Sequence, residues 1–177
     1  MTEQDIISFA YLFKQLSFSA KFERRKKGFK FNGKNVESFY AKEKEQKKQI
    51  TVYRYNDQNN FLISIPDKSA KDSIFFLKTG KSMTVDEVIN EVIKNEGKGA
   101  PMLKDDLFEM PVIELDCQRD YKEMIGLPFK NESLQNYFLA VMMEALKLKI
   151  DESGAKVESM AVMIATKCAM INMNQPR

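Results

Sequence analysis

Apolar residues along the chain switch between a two-residue and a helical period, and they divide it into strands and helices without internal repeats. Ile6 to Phe13 is a continuous apolar and aromatic run, the pattern of a buried strand. Phe29, Phe31 and Val36 flank Asn32-Gly33, a pair that closes tight hairpin turns. Ile50, Val52 and Tyr53 to Tyr55 precede the polar stretch Asn56-Asp57-Gln58-Asn59-Asn60, and Phe61 to Ile65 follow it, ending at Pro66. This reads as a second hairpin with a five-residue connection and a proline stop.

The strongest helical signal is Val85 to Asn95. Thr84 can cap its first turn while Glu87, three residues on, reaches back to the cap. Val85, Val88, Ile89 and Val92 then fall on one face, and Gly97, Gly99 and Pro101 end the element. Phe108 to Leu115 alternates like a strand, interrupted by Pro111, which suits an edge or a strand start. Leu134 to Leu146 is ambiguous, because Leu134, Phe138, Val141 and Ala145 also fit a helix. Leu146, Leu148 and Ile150, opposed by Lys147 and Lys149, fit a strand with one wet face. The expected class is α+β, with mostly antiparallel sheets, since several links are too short for crossover helices.

Composition narrows the function more than the fold. The 177 residues suit a single domain with a sizeable core. The 28 basic and 25 acidic residues nearly cancel to +3, too little to argue for nucleic acid. No apolar run reaches the length of a membrane helix, and Met1-Thr2-Glu3-Gln4-Asp5 lacks the features of a secretory signal, so a cytoplasmic location is expected. Cys117 and Cys168 are too few and too distant for a disulfide framework or a zinc site. With no histidine, the usual general base and the commonest metal ligand are missing. No catalytic residue, metal or cofactor is therefore expected, and the chain is read as a non-enzyme.

The remaining motifs carry little chemistry. Gly97-Lys98-Gly99 lacks the spacing of a phosphate loop and reads as a helix terminator. Lys42 to Lys48 is a charge run that fits a solvated loop or helix end. Arg24-Arg25-Lys26-Lys27 is the one contiguous basic patch; it offers a weak polyanion site, against a plain solvent-facing role. The eleven methionines fit apolar filling or flexible surface.

The strand ending at Ile150 runs into Asp151-Glu152-Ser153-Gly154-Ala155, and then into Ala161-Val162-Met163-Ile164-Ala165-Thr166-Lys167. This stretch resembles the hinge and reactive-loop approach of the serpin family, in which an acidic pair and a glycine lead to small residues and a bait bond. Four other segments are similar to that family in the same order. Ala10-Tyr11-Leu12-Phe13-Lys14 with Phe29-Lys30-Phe31 resembles its central strand and return. The hairpin Thr51 to Pro66 resembles its strand pair ending in Leu-Pro. Glu109 to Leu115, then Tyr121-Lys122-Glu123-Met124-Ile125-Gly126, complete the series. The resemblance covers nearly the whole chain but only the later half of such a protein.

It implies a serpin-like domain over 1–177 whose residues 154–177 form a mobile reactive-loop-like tail. By the family's spacing the bait bond would join Cys168 and Ala169, with Lys167 as the neighbouring candidate. Glu152, Gly154, Ala155, Val157, Ser159 and Ala161 would be the hinge, and Ala155, Val157, Ser159 and Ala161 can share one inward face by strand alternation. The implied partner is a serine or cysteine protease, with no membrane, and with nucleic acid or polyanion disfavoured. A second chain completing the fold stays open. The departures are specific. The family's polar clasp corresponds to Phe9 and Glu144, its tryptophan has Phe18 as nearest equivalent, and Lys156, Val157, Glu158 and Met160 replace small hinge residues. Those changes favour one alternative, a non-inhibitory serpin-like binding protein; a second, from a different class, is a small structural or polyanion-binding module using Arg24 to Lys27 and Lys42 to Lys48.

Overall fold

Two compact units are visible in the computed structural model, which describes residues 5–167. One holds residues 5–14, Leu115–Leu148 and 157–167; the other holds Gln15–Glu114 and Lys149–Lys156.

The second unit contains the apolar core and two antiparallel sheets. In the first sheet, β2 (Glu23–Phe31) pairs β3 (Lys34–Tyr40), and β3 pairs the short β8 (Glu109–Pro111). The β2–β3 turn is made by Asn32 and Gly33, both in the left-handed region at φ 47° and 77°. That is what an Asn-Gly hairpin turn requires, because its twist matches that of the flanking strands. A bulge between Arg25 and Phe29, with Gly28 at φ 102°, bends β2. In the second sheet the order is β6-β5-β4-β7, from β4 (Thr51–Asp57), β5 (Asn60–Pro66), β6 (Ser73–Lys78) and β7 (Ala100–Pro101). Leu62 and Ile65 of β5 are fully buried, as the middle strand of a hydrophobic sheet should be.

Phe18, Phe22, Phe39 and Phe108 form one aromatic cluster, each 8% exposed or less. Phe22 lies 5.2 Å from Phe18 edge-on, 5.6 Å from Phe39 and 5.3 Å from Phe108. Such ring pairs add to the burial energy of the cluster. The helix α2 (Val85–Asn95) has the expected capping box: Thr84 Oγ1 accepts the Glu87 N–H, and Glu87 Oε2 accepts the Thr84 N–H at 2.7 Å. It rests on half-buried Val88 and Val92 and leaves Val85 and Ile89 exposed, so only half of the expected apolar stripe is covered. Arg54 of β4 ties the helix down through its Nη1 bond to Glu91. The charge run forms α1 (Lys44–Lys48), a helix of one turn.

The first unit is built on a sheet of order β1-β11-β10-β9, from β1 (Ile6–Ser17), β9 (Ile113–Asp120), β10 (Tyr137–Asp151) and β11 (Gly154–Lys167). The two-residue link Glu152-Ser153 makes β10 and β11 antiparallel neighbours. Of the described apolar residues in this unit, Leu139 and Ala165 are buried.

Four expectations change. Phe108 to Leu115 is two strands rather than one: β8 pairs with β3 through Pro111, the Val112 N–H makes a last bond to the Glu37 carbonyl at 2.9 Å, and β9 begins at Ile113 in another sheet. The ambiguous stretch is strand from Tyr137 onward, with Leu134 left in a 3-10 turn, so sheet pairing overrides its helical period. The connection between β4 and β5 is two residues, Gln58-Asn59, because Asp57 and Asn60 pair. Finally β1 is not buried: it lies at a sheet edge, and Phe9, Tyr11 and Leu12 are 56–60% exposed.

Candidate functional site: the hinge and its strand

The turn after β10 is set by its own side chains and by what passes beneath it. Asp151 Oδ1 accepts the Ser153 N–H at 2.8 Å, a local bond that favours a turn at this point. The carbonyls of Glu152 and Ser153 accept the N–H groups of Phe22 and Phe18, both at 2.9 Å. These bonds fasten the turn to the aromatic cluster. Gly154 has φ 155°, and a Cβ there would stand 2.0 Å from the carbonyl oxygen of Leu16. Glycine is required at 154 because the backbone of β1 occupies the space of a side chain.

Glu152 is 9% exposed, so its carboxylate needs cationic partners. Arg24 Nη1 supplies one at 3.2 Å, and Lys21 Nζ lies at 3.6 Å. Arg24 also donates to Glu37 Oε2, through Nε at 3.0 Å and through Nη2. The Arg24 hydrogen bond, with its charge, holds the Glu37 carboxyl below its ordinary range. The bond to Glu37 likewise raises Arg24, opposed by partial desolvation. One guanidinium thus bridges a surface carboxylate, Glu37, and the buried carboxylate of the turn, Glu152.

Nearby, Asp67 fixes the end of β1. Its Oδ1 accepts the Ser17 N–H at 2.8 Å and its Oδ2 accepts the Ser69 N–H at 2.9 Å and the Ser69 hydroxyl. The Ser69 hydroxyl first, and then the Ser17 and Ser69 amides, push its pKa down to about 2.

β11 continues from this turn into the sheet between β1 and β10. Ala155, Val157, Ser159 and Ala161 alternate along it and are half-buried. Lys156 is exposed, Glu158 is half-buried, and both have interaction partners. Lys167 is the final described residue; the bait candidates Cys168 and Ala169 lie outside the described residues.

The basic patch is partly occupied. Besides the Arg24 bonds, Arg25 Nη1 holds Glu109 Oε2 at 2.9 Å and its guanidinium lies 4.7 Å from the ring centre of Tyr40. Lys26 and Lys27 are exposed at the β2 bulge. Two of the four cations therefore already face carboxylates. At the positions of the family's polar clasp, Phe9 is exposed on β1, while Glu144 of β10 accepts the Tyr121 hydroxyl at 2.6 Å. That bond to Glu144 raises the Tyr121 pKa. Phe18, in the tryptophan's place, is part of the aromatic cluster.

Sequence reasoning missed Arg24, Glu37 and Lys21 as partners of the Glu152 turn, and Asp67 as the residue that holds the end of β1. Their contacts reach across as many as 128 residues, and no local pattern marks them. Among the described residues no cluster of His, Cys, Asp and Glu is arranged to hold a metal ion, and no helix is long and apolar enough to cross a membrane.

No protein-family model and no curated protein sequence matches the chain. Solved structures do match. Emu (Dromaius novaehollandiae) ovalbumin superposes with TM-score 0.66 at 10% identity, covering 97% of this chain and 49% of ovalbumin. The viral serpin CrmA gives TM-score 0.66 at 8% identity, over 92% of this chain and 61% of CrmA. Reaction-loop-cleaved lamprey angiotensinogen gives 0.65 at 10%, over 90% of this chain and 54% of that protein. The chain thus spans about half the length of the solved structures it matches. Such likeness at low identity speaks for architecture: the fold of this chain is the serpin fold.

Proposed function

We propose that this chain acts as a serpin-type protease inhibitor: the segment after β11 is cleaved in a state with β11 outside the sheet, and β11 then takes the place between β1 and β10 that it has here. The observation that supports this is the position of Gly154–Lys167 as a strand hydrogen-bonded between β1 and β10. An internal strand gains ladder bonds on two sides, which an excluded loop leaves to water. A segment able to take that place holds the free energy that can drive a trapping motion. In this reading Cys168–Ala169, or the bond after Lys167, is the bait. Glu152, Gly154, Ala155, Val157, Ser159 and Ala161 are the hinge. The partner is a serine or cysteine protease, and the chain performs no catalysis of its own. Two matched structures have cleaved loops in lamprey angiotensinogen and human thyroxine-binding globulin, and another match is named a myxomaviral serine protease inhibitor.

A second reading, a non-inhibitory binding protein on the same fold, draws support from Lys156 and Glu158, which β11 must carry into the sheet. One matched protein, thyroxine-binding globulin, was solved with a thyroxine conjugate. The polyanion-binding reading is the weaker one, since Arg24 and Arg25 are held by carboxylates. The deciding experiment incubates the protein with a panel of serine and cysteine proteases. An SDS-resistant adduct with cleavage near Lys167 supports inhibition. Cleavage without any adduct, across the panel, moves the assignment to the binding protein.

A further inference from the structure

Of the asparagines in the chain, Asn131 alone is followed two positions on by Ser or Thr, with a residue other than proline between them. Asn131-Glu132-Ser133 therefore has the acceptor pattern for an N-linked glycan. A three-residue match says little by itself, because an asparagine buried in a core or paired in a ladder cannot reach a transferase.

The surroundings of Asn131 fit an acceptor. The segment between β9 and β10 is a loop closed at its base: the Gly126 N–H donates to the Leu139 carbonyl at 2.7 Å, and the Leu139 N–H to the Leu127 carbonyl at 3.1 Å. Pro128 and Phe138 bridge next to these bonds. Phe129 and Leu134 are half-buried, while Lys130, Asn131, Glu132, Ser133, Gln135 and Asn136 are exposed. Such a polar tip needs no cover from further chain, and a bulky hydrophilic group on Asn131 would stand in solvent.

Asn131 precedes the 3-10 turn Glu132–Leu134, with φ −74° and ψ 128°. Its Oδ1 accepts the Ser133 N–H at 3.0 Å and the Ser133 hydroxyl at 2.7 Å. Its Nδ2 makes no hydrogen bond to a described residue. This division suits the chemistry. An amide nitrogen is a poor nucleophile, because its lone pair is shared with the carbonyl. As the nitrogen gives up a proton, charge moves to Oδ1, where two donors already stand. The Ser133 hydroxyl is one of them, and alanine could not supply it.

We propose that Asn131 is an N-glycosylation site. The donor is an oligosaccharide joined through its first acetamido sugar to an isoprenoid lipid diphosphate. Nδ2 bonds to the anomeric carbon, the bond from that carbon to the diphosphate oxygen breaks, and the lipid diphosphate leaves with the electron pair. The proton lost from Nδ2 passes to a base of the transferase, and nothing is oxidised or reduced. A chain so modified enters the secretory lumen, against the cytoplasmic location expected from Met1 to Asp5. Those residues open a chain that spans about half the length of the structures it matches, and they do not say how the whole protein is delivered.

The first test uses the chain as its own cells make it. Peptide N-glycosidase in heavy-oxygen water should remove the glycan and leave a heavy-oxygen aspartate at 131, read by peptide mass mapping. The second uses the full chain carried by a cleavable secretory leader in a eukaryotic host. The parent should run as a heavier band that collapses on glycosidase treatment. Asn131→Gln and Ser133→Ala should lose that shift, and Ser133→Thr should keep it. An unmodified Asn131 in the chain from its own cells overturns the proposal, as does a band shift that survives Asn131→Gln. If Asn131→Gln does not fold, Ser133→Ala against Ser133→Thr carries the same test, since only the second keeps the hydroxyl.

Discussion

Arg24 Nη1 lies 3.2 Å from Glu152 Oε2, joining residues 128 positions apart at the point where β10 turns into β11. Arg24 comes from β2, Glu152 from the turn, and Glu37 of β3 holds the other side of the same guanidinium. A planar guanidinium can serve both carboxylates at once, which a lysine ammonium does less well. The turn is thereby fixed by charge as well as by its backbone bonds to Phe18 and Phe22.

A double-mutant cycle should measure this coupling. Glu152→Ala and Arg24→Ala are compared singly and together by urea unfolding. Glu152 is largely buried while Arg24 is partly open to solvent, so the interaction energy should be about 1 kcal/mol, below that of a fully buried pair. Glu152→Ala should cost less than Arg24→Ala, since the latter leaves a buried carboxylate with Lys21 alone at 3.6 Å. Additive single effects would mean that the pair contributes nothing.

Gly154→Ala should be more damaging than either. The added methyl meets the Leu16 carbonyl oxygen at 2.0 Å, which is backbone and cannot rotate away. A loss of about 2 kcal/mol or more is expected. Hydrogen exchange at the Phe18 and Phe22 amides, which bond to the turn, should speed up in the same variant. Unchanged exchange there would show that the turn absorbs the methyl elsewhere.

The elements legible in the sequence are those whose cause is local. Thr84 and Glu87 meet within one turn, Asn32-Gly33 sets its own twist, and Asp151 to Gly154 carries its turn in its own side chains. What escaped depends on distant partners. Nothing around Phe108 to Leu115 says that its two halves pair with different sheets, and nothing around Arg24 names Glu152. The run Ile6 to Phe13 reads as buried because apolar continuity reports a need for cover, not the presence of it. The turn at Glu152 was singled out by resemblance, whereas the partners that hold it were visible only in three dimensions.

Acid should loosen the end of β1 through Asp67. Its folded pKa of about 2 lies below the ordinary 3.8, so the charged form is the one the fold favours. The stabilisation is complete above the ordinary value and is lost as pH falls through about 2. Thermal melts of the wild type and Asp67→Asn should therefore differ most above about pH 5 and converge toward pH 2. A difference independent of pH would mean that the charge of Asp67 is not what holds Ser17 and Ser69.

The proposed insertion turns on Ala155, the first residue of β11 after Gly154. It is half-buried, on the same alternating face as Val157, Ser159 and Ala161. Ala155→Arg forces a guanidinium either into that face or out past its neighbours, at about 2 to 3 kcal/mol against insertion. That shifts the balance between inserted and expelled strand on the order of a hundredfold. The segment after Lys167 is untouched, so a protease should still cut it. The expected outcome is a change from inhibitor to substrate: cleavage proceeds, no SDS-resistant adduct accumulates, and the cut protein melts no higher than the uncut. Ala155→Ser, which keeps the residue small, should restore trapping. If Ala155→Arg traps protease as well as the parent does, entry of β11 at this end is not the motion that captures the enzyme.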